Sequence, residues 1–167
     1  MNAIYKAIPP LVSIAMLVST ASNAVAKTLK QQIVGTWAVV SVVNDNKGNK
    51  TETFGPHPMG YVMFDRSGHV SLQIIKSDIP KFVSNNKNTG TDAENKAVVQ
   101  GTIANFGTYK LDEKKHSASV HWIGSSYPNW VGTDQERSVA ITGDQMTWID
   151  PATPFGGSSA VTLKRAK

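Results

Sequence analysis

The chain has 167 residues, a formal net charge of +5 and no cysteine. That length fits one domain behind a leader, large enough to bury a core without covalent staples. The missing cysteines exclude disulfides, thiol nucleophiles, cysteine-zinc sites and iron–sulfur clusters, and lysines scattered over loops and hairpin ends argue against a nucleic-acid-binding stripe.

In chain order, a leader comes first. Lys6 precedes the apolar run Leu11-Val12-Ser13-Ile14-Ala15-Met16-Leu17-Val18, and Ala24-Val25-Ala26 stands just before Lys27. A basic n-region, an apolar h-region and an Ala-x-Ala site predict a secretory signal peptide over residues 1–26, cut after Ala26. The apolar run falls well short of the roughly 18–20 residues of a bilayer span, and Pro9-Pro10 breaks any longer helix upstream. The expected mature chain, residues 27–167, is a periplasmic or secreted domain with no stable membrane insertion. Its remaining excess of basic residues suits solubility or weak attraction to an anionic surface.

The mature chain reads mostly as short strands. Val34–Val43 is the first, ended by the polar cluster Asn44-Asp45-Asn46-Lys47-Gly48-Asn49. Tyr61–Phe64 and Val70–Ile75 flank Asp65-Arg66-Ser67-Gly68-His69, a hairpin pattern. Val70, Leu72 and Ile74 alternate with Ser71 and Gln73, so that strand has one apolar face. Residues 77–90 read as a loop. Thr91-Asp92-Ala93-Glu94 has capping-box spacing, and Ala93 to about Ile103 is the single predicted helix, with Gly101 blurring its end.

Strands then resume at Phe106–Leu111, Ser117–Ile123, Arg137–Thr142, Gln145–Ile149 and Ala160–Arg165. Gly143-Asp144 makes a short hairpin turn, and residues 151–159 form a Pro/Gly-rich loop. The expectation is an all-β fold: an antiparallel up-and-down barrel of about eight strands with one short helix. A barrel is preferred over an open sheet because closure removes exposed edges.

Three motifs in order carry a family resemblance. They are Gly35-Thr36-Trp37; Phe54-Gly55-Pro56-His57-Pro58-Met59-Gly60-Tyr61-Val62-Met63-Phe64 running into Gly68; and Tyr127-Pro128-Asn129-Trp130-Val131-Gly132-Thr133-Asp134-Gln135-Glu136-Arg137. Asn105-Phe106-Gly107-Thr108-Tyr109 fits between the last two. Over about residues 33–165 the chain resembles the bacterial lipocalin-like domain family, a calycin-type barrel group. The resemblance implies that Trp37 plugs the closed end of the barrel under a basic side chain from the last strand, with Arg165 better suited than Lys164 by its planar guanidinium. A ligand would then enter from the opposite end.

Chemistry-bearing patterns are few. His57, His69, His116 and His121 show no metal-ligand spacing, and no nucleophile elbow or phosphate loop is present, so no metal or cofactor is implied. Tyr61, Met63, Gln73, Tyr109, His121, Trp130 and Arg137 are the side chains that would line a cup if they pointed inward. Trp130 would act from an aromatic rim, and His121 with Arg137 would form a polar pair.

The leading functional expectation is an exported module that holds a small hydrophobic molecule in the barrel, by burial of apolar surface with one or two polar groups for orientation. The alternative is a small-molecule isomerase or cyclase using an inward His121–Arg137 pair. A barrel packed solid and working through its surface is the third. Ligand identity and oligomeric state are not encoded in any motif.

Overall fold

The computed structural model describes residues 27–167; the expected signal peptide lies outside them. A short helix α1 (Leu29–Ile33) leads into nine strands: β1 (Gly35–Asn46), β2 (Asn49–Glu52), β3 (Met59–Phe64), β4 (His69–Ile75), β5 (Thr102–Asp112), β6 (Ser117–Ser125), β7 (Asp134–Thr142), β8 (Gln145–Asp150) and β9 (Ser158–Arg165). Helix α2 (Asp92–Gln100) stands between β4 and β5. Each strand from β3 onward pairs antiparallel with the next, and β1 pairs with both β3 and β9. The ring therefore closes with eight strands, an antiparallel lipocalin-like barrel. β2 pairs only with the far end of β1, as a hairpin tongue beside the ring.

Helix α1 and β2 are additions to the sequence reading. α1 was legible in principle, because Thr28 and Gln31 form a reciprocal capping box. The turn Lys47-Gly48 folds the polar run after Val43 back as a hairpin, so β1 extends to Asn46. α2 ends at Gln100, and Gly101 caps it by donating to the Ala97 carbonyl. Ile103 already belongs to β5.

Inward residues alternate along each strand, as half-buried strands require. Val62 and Phe64, Val70, Leu72 and Ile74, Ile103 and Tyr109, Val120 and Trp122, and Met146 and Trp148 form one core. A register shift between Val39 and Ser41 breaks the parity of β1. The shift lets Trp37 and Val42 both face inward although they are an odd number of residues apart. A second shift falls between Phe106 and Gly107. There a Cβ on Gly107 would collide with the His121 carbonyl oxygen. Gly107→Ala is expected to destabilise the barrel by about 1–3 kcal/mol, read as a lower denaturation midpoint, whereas alanine at the open turn position Gly132, where a Cβ meets nothing, strains only its local backbone.

The end carrying the α1 cap is sealed. Trp37 is fully buried, and its Nε1 donates to the Ile33 carbonyl at 2.7 Å. The Arg165 guanidinium carbon lies 4.1 Å from the Trp37 ring centroid. Arg165 also donates from Nη1 to Val34 O at 3.1 Å and from Nη2 to Gln32 O at 2.6 Å. One side chain from the last strand thus covers the indole and satisfies the terminal carbonyls of α1. The Glu113 carboxylate meets the other terminus of α1, accepting from the backbone of Leu29 and Lys30.

At the opposite end the long β4–α2 connection is tied down by a carboxylate. Glu94 accepts from the backbone N–H of Val83 and Thr91, both at 2.8 Å, and from the Thr91 hydroxyl. The two backbone bonds hold its pKa below the usual carboxylate value. A carboxyl with a depressed folded-state pKa stabilises above its unfolded value and loses that contribution as pH falls through the folded one. Amide exchange at Val83, taken relative to the intrinsic rate at each pH, is therefore expected to stay slow near neutrality and to quicken only on acidification below the ordinary carboxylate range. Glu94→Gln should quicken it at neutral pH; unchanged exchange in that variant would show that Glu94 does not tether the loop.

Candidate functional site

The open mouth is ringed by the β2–β3 connection, the 3-10 turn Pro128–Trp130 and the loop between β8 and β9. A cavity of ≈50 Å³ lies below it. Its walls are mainly apolar: Val42, Leu72, Ile74, Ile103 and Val161 from the strands, and Phe54 and Phe155 from the rim. That volume takes about one or two waters and is well below the roughly 300 Å³ of an ordinary small-molecule site. Side chains close the gap. Phe54 and Phe155 meet edge to face at 5.9 Å, and Trp130 stacks on Trp122 at 6.4 Å with the rings nearly parallel. Below the cavity, Phe64 packs against Tyr109 and Trp148, giving the cup a solid aromatic floor.

A polar cluster is set into this apolar wall. Arg137 and Asp150 face each other on neighbouring strands β7 and β8 and form a buried ion pair, their side chains 4% and 7% exposed. Arg137 Nη2 donates to Gln135 Oε1, which also accepts from Trp122 Nε1 at 2.9 Å. Asp150 Oδ1 caps the loop by accepting from the Ala152 backbone at 3.0 Å. The Arg137 guanidinium lies 5.3 Å from the Trp130 ring centroid. Burial lowers the Arg137 pKa from its ordinary value, and the Asp150 carboxylate works against that shift. The pair as a whole carries no net charge.

Among the described residues, three buried side-chain nitrogens have no protein acceptor: Asn105 Nδ2, Arg137 Nε and Trp148 Nε1. Arg137 and Trp148 both line the cavity. Val139 pairs with Trp148 and Ser138 with Ile149, so Arg137 and Trp148 sit diagonally on one inner face. Both residues line the cup and neither N–H has a protein acceptor, although with the cup closed neither nitrogen is itself exposed to the cavity.

The residues singled out from sequence divide between two faces. Arg137 and Tyr109 point inward, and Trp130 is a half-buried rim residue. Tyr109 lies in the floor, where its hydroxyl donates to the Asp65 carbonyl at 2.7 Å. Burial, with the Asp65 charge nearby, raises its pKa and keeps the phenol neutral. Tyr61, Met63, Gln73 and His121 stand on the outer face, which corrects the expectation that they line the cup.

Strand parity is the reason: Val62 and Phe64, Leu72 and Ile74, and Val120 and Trp122 take the inward positions beside them. Met63 joins Phe106 and Ile123 along a shallow outer cleft. His121 meets Asp134 at 3.0 Å on the surface, so no His121–Arg137 pair exists inside the barrel. Asp150 and Trp148 are site residues that no sequence motif marked, and Gln135, although inside the third motif, is not among the expected site residues. Among the described residues no cluster of three or more His, Asp or Glu is arranged to hold a metal ion, and no helix is long and apolar enough to cross a membrane.

An eight-stranded antiparallel barrel, sealed at one end and lined at the other by apolar side chains around a few polar groups, defines a lipocalin-type cup. The chain belongs to the lipocalin-like domain family, which matches residues 34–166. It is also similar to an Aspergillus oryzae protein named 4'-hydroxy-3'-methoxypropiophenone carrier protein ppsC. The two are 31% identical over 95 residues, covering 52% of this chain and 86% of the relative.

Proposed function

We propose that this protein is a carrier that holds a small, mainly apolar molecule in the mouth half of its barrel. The observation that carries the reading is the buried Arg137–Asp150 pair set into otherwise apolar cavity walls. A few convergent polar groups in an apolar cleft are the usual make-up of a small-molecule site. The similarity to a protein named as the carrier of an aromatic ketone supports the same reading. With the cavity at ≈50 Å³, loading requires the rim to give way. Phe155 is the side chain placed to do so: it is 46% exposed and is followed by Gly156 and Gly157, both at positive φ. The notion of an enzyme built on His121 loses its support, since that imidazole lies outside the barrel.

We also propose that the chain is exported, with its leader removed after Ala26 and residues 27–167 as the working domain. The n-region, h-region and Ala-x-Ala order support this. N-terminal sequencing of protein from the culture fluid or periplasm should begin at Lys27.

The carrier reading is tested by titrating the purified protein with n-propylbenzene and propiophenone while following tryptophan fluorescence, together with mass spectrometry of an organic extract of the freshly isolated protein. At least one probe should give a saturable change with one site per chain. If neither probe saturates and the extract holds no small organic molecule, the carrier reading fails.

A further inference from the structure

Two donors on residues lining the cup have no protein acceptor. Trp148 is 1% exposed and Arg137 4%, so neither Trp148 Nε1 nor Arg137 Nε faces bulk water. A buried N–H without a partner is costly to the folded protein. Within a cavity wall, that cost becomes a preference for any guest that supplies the missing acceptor.

The sign of the guest's charge follows from the neighbours. Asp150 already neutralises Arg137 across the β7–β8 pair, and Arg137 Nη2 is engaged by Gln135. An anionic guest would add an unbalanced buried charge beside the Asp150 carboxylate, at a large desolvation cost. A neutral oxygen has no such penalty. A carbonyl oxygen offers two lone pairs and no donor of its own, which matches two N–H groups from one wall. The rest of the guest would meet Leu72, Ile74, Ile103 and Val161, with the Trp130 ring at the rim, and so must be apolar.

We infer that the cup selects a neutral carbonyl compound, an apolar ketone, ester or amide, whose oxygen accepts from Arg137 Nε and Trp148 Nε1. This rests on the carrier reading and names the class of molecule carried. The guest enters carbonyl first and leaves its apolar body against the rim, where the Phe155 ring moves aside.

The test compares three probes of similar shape at neutral pH: propiophenone, n-propylbenzene and the 3-phenylpropanoate anion. Propiophenone should bind about thirtyfold more tightly than either of the others, the ratio expected of two hydrogen bonds at ~1 kcal/mol each. On binding propiophenone, the Trp148 indole N–H and the Arg137 Nε–H proton resonances should both move downfield. Trp148→Phe keeps the ring and removes one donor, and it should narrow the ketone-over-hydrocarbon ratio several-fold. Equal affinity for propiophenone and n-propylbenzene would overturn the carbonyl assignment while leaving a carrier of apolar molecules standing. Preference for the anion would overturn the neutrality argument and the assignment with it. If no probe binds, both the assignment and the carrier reading fall.

Discussion

Arg137→Met is expected to lower the stability of the protein by about 3–5 kcal/mol, the cost of leaving one member of a buried ion pair without its partner. Asp150 sits 7% exposed beside the apolar cup, so water cannot take over the role of the guanidinium. The same substitution removes the donor to Gln135, which joins this pair to Trp122. Arg137→Met combined with Asp150→Leu should recover most of the loss, because the remaining volume is apolar and no charge is stranded. Urea denaturation of the two single variants and the double variant checks this. If Arg137→Met alone is as mild as the double variant, the pair is solvated in solution and the electrostatics of the cup are wrong.

Trp37→Ala is expected to cost a similar amount, about 3–5 kcal/mol, by a different route. The indole is fully buried, and its removal opens a void where α1, β1 and β9 meet. It also frees the Ile33 carbonyl and leaves the Arg165 guanidinium without the ring it covers. Trp37→Phe separates these effects, since it keeps an aromatic body and loses the hydrogen bond; it should cost about 1–2 kcal/mol. In a Trp37→Ala background, Arg165→Ala should do less harm than in the native chain, because the contact between the two side chains is already lost and only the hydrogen bonds of Arg165 to Gln32 and Val34 remain to be removed. A loss below about 1 kcal/mol for Trp37→Ala would mean that the sealed end does not depend on this side chain.

Much of the barrel was legible because its strands alternate cleanly and its turns carry Gly, Asn and Asp at the positions turns require. The alternation of Val70, Leu72 and Ile74 with Ser71 and Gln73 defines two faces of β4, and with the apolar face inward Gln73 falls outside, against its place among the expected cup residues. In Tyr61-Val62-Met63-Phe64 every residue is apolar, so hydropathy could not choose a face. Pairing with β1 and β4 chose it, putting Val62 and Phe64 inward. His121 looked like a cup residue by chemistry, yet Val120 and Trp122 occupy the inward parity of β6. Arg137 was visible as a strand residue in an aromatic motif. Its partner Asp150 was not, because their meeting depends on the register across the Gly143-Asp144 turn, which places Ser138 opposite Ile149. Trp148 shows the same limit: a free indole N–H is a property of the neighbourhood and leaves no trace in local pattern.

The first and last strands of the ring are its closing pair, with Trp37 opposite Arg165 and Asp45 opposite Ser158. Every other ring pairing except that of β1 with β3 joins strands that follow one another in the chain, and even the β4–β5 step spans a long connection. Formation of the ring therefore depends on the most distant contact in the sequence, and such contacts slow folding because loop-closure entropy must be met before they contribute. A nascent chain that has not yet released Ser158–Arg165 has an unpaired edge on both β1 and β8. Until the C-terminal strand arrives, those edges are templates for another chain, so the interval between synthesis and ring closure is when this protein is most exposed to aggregation.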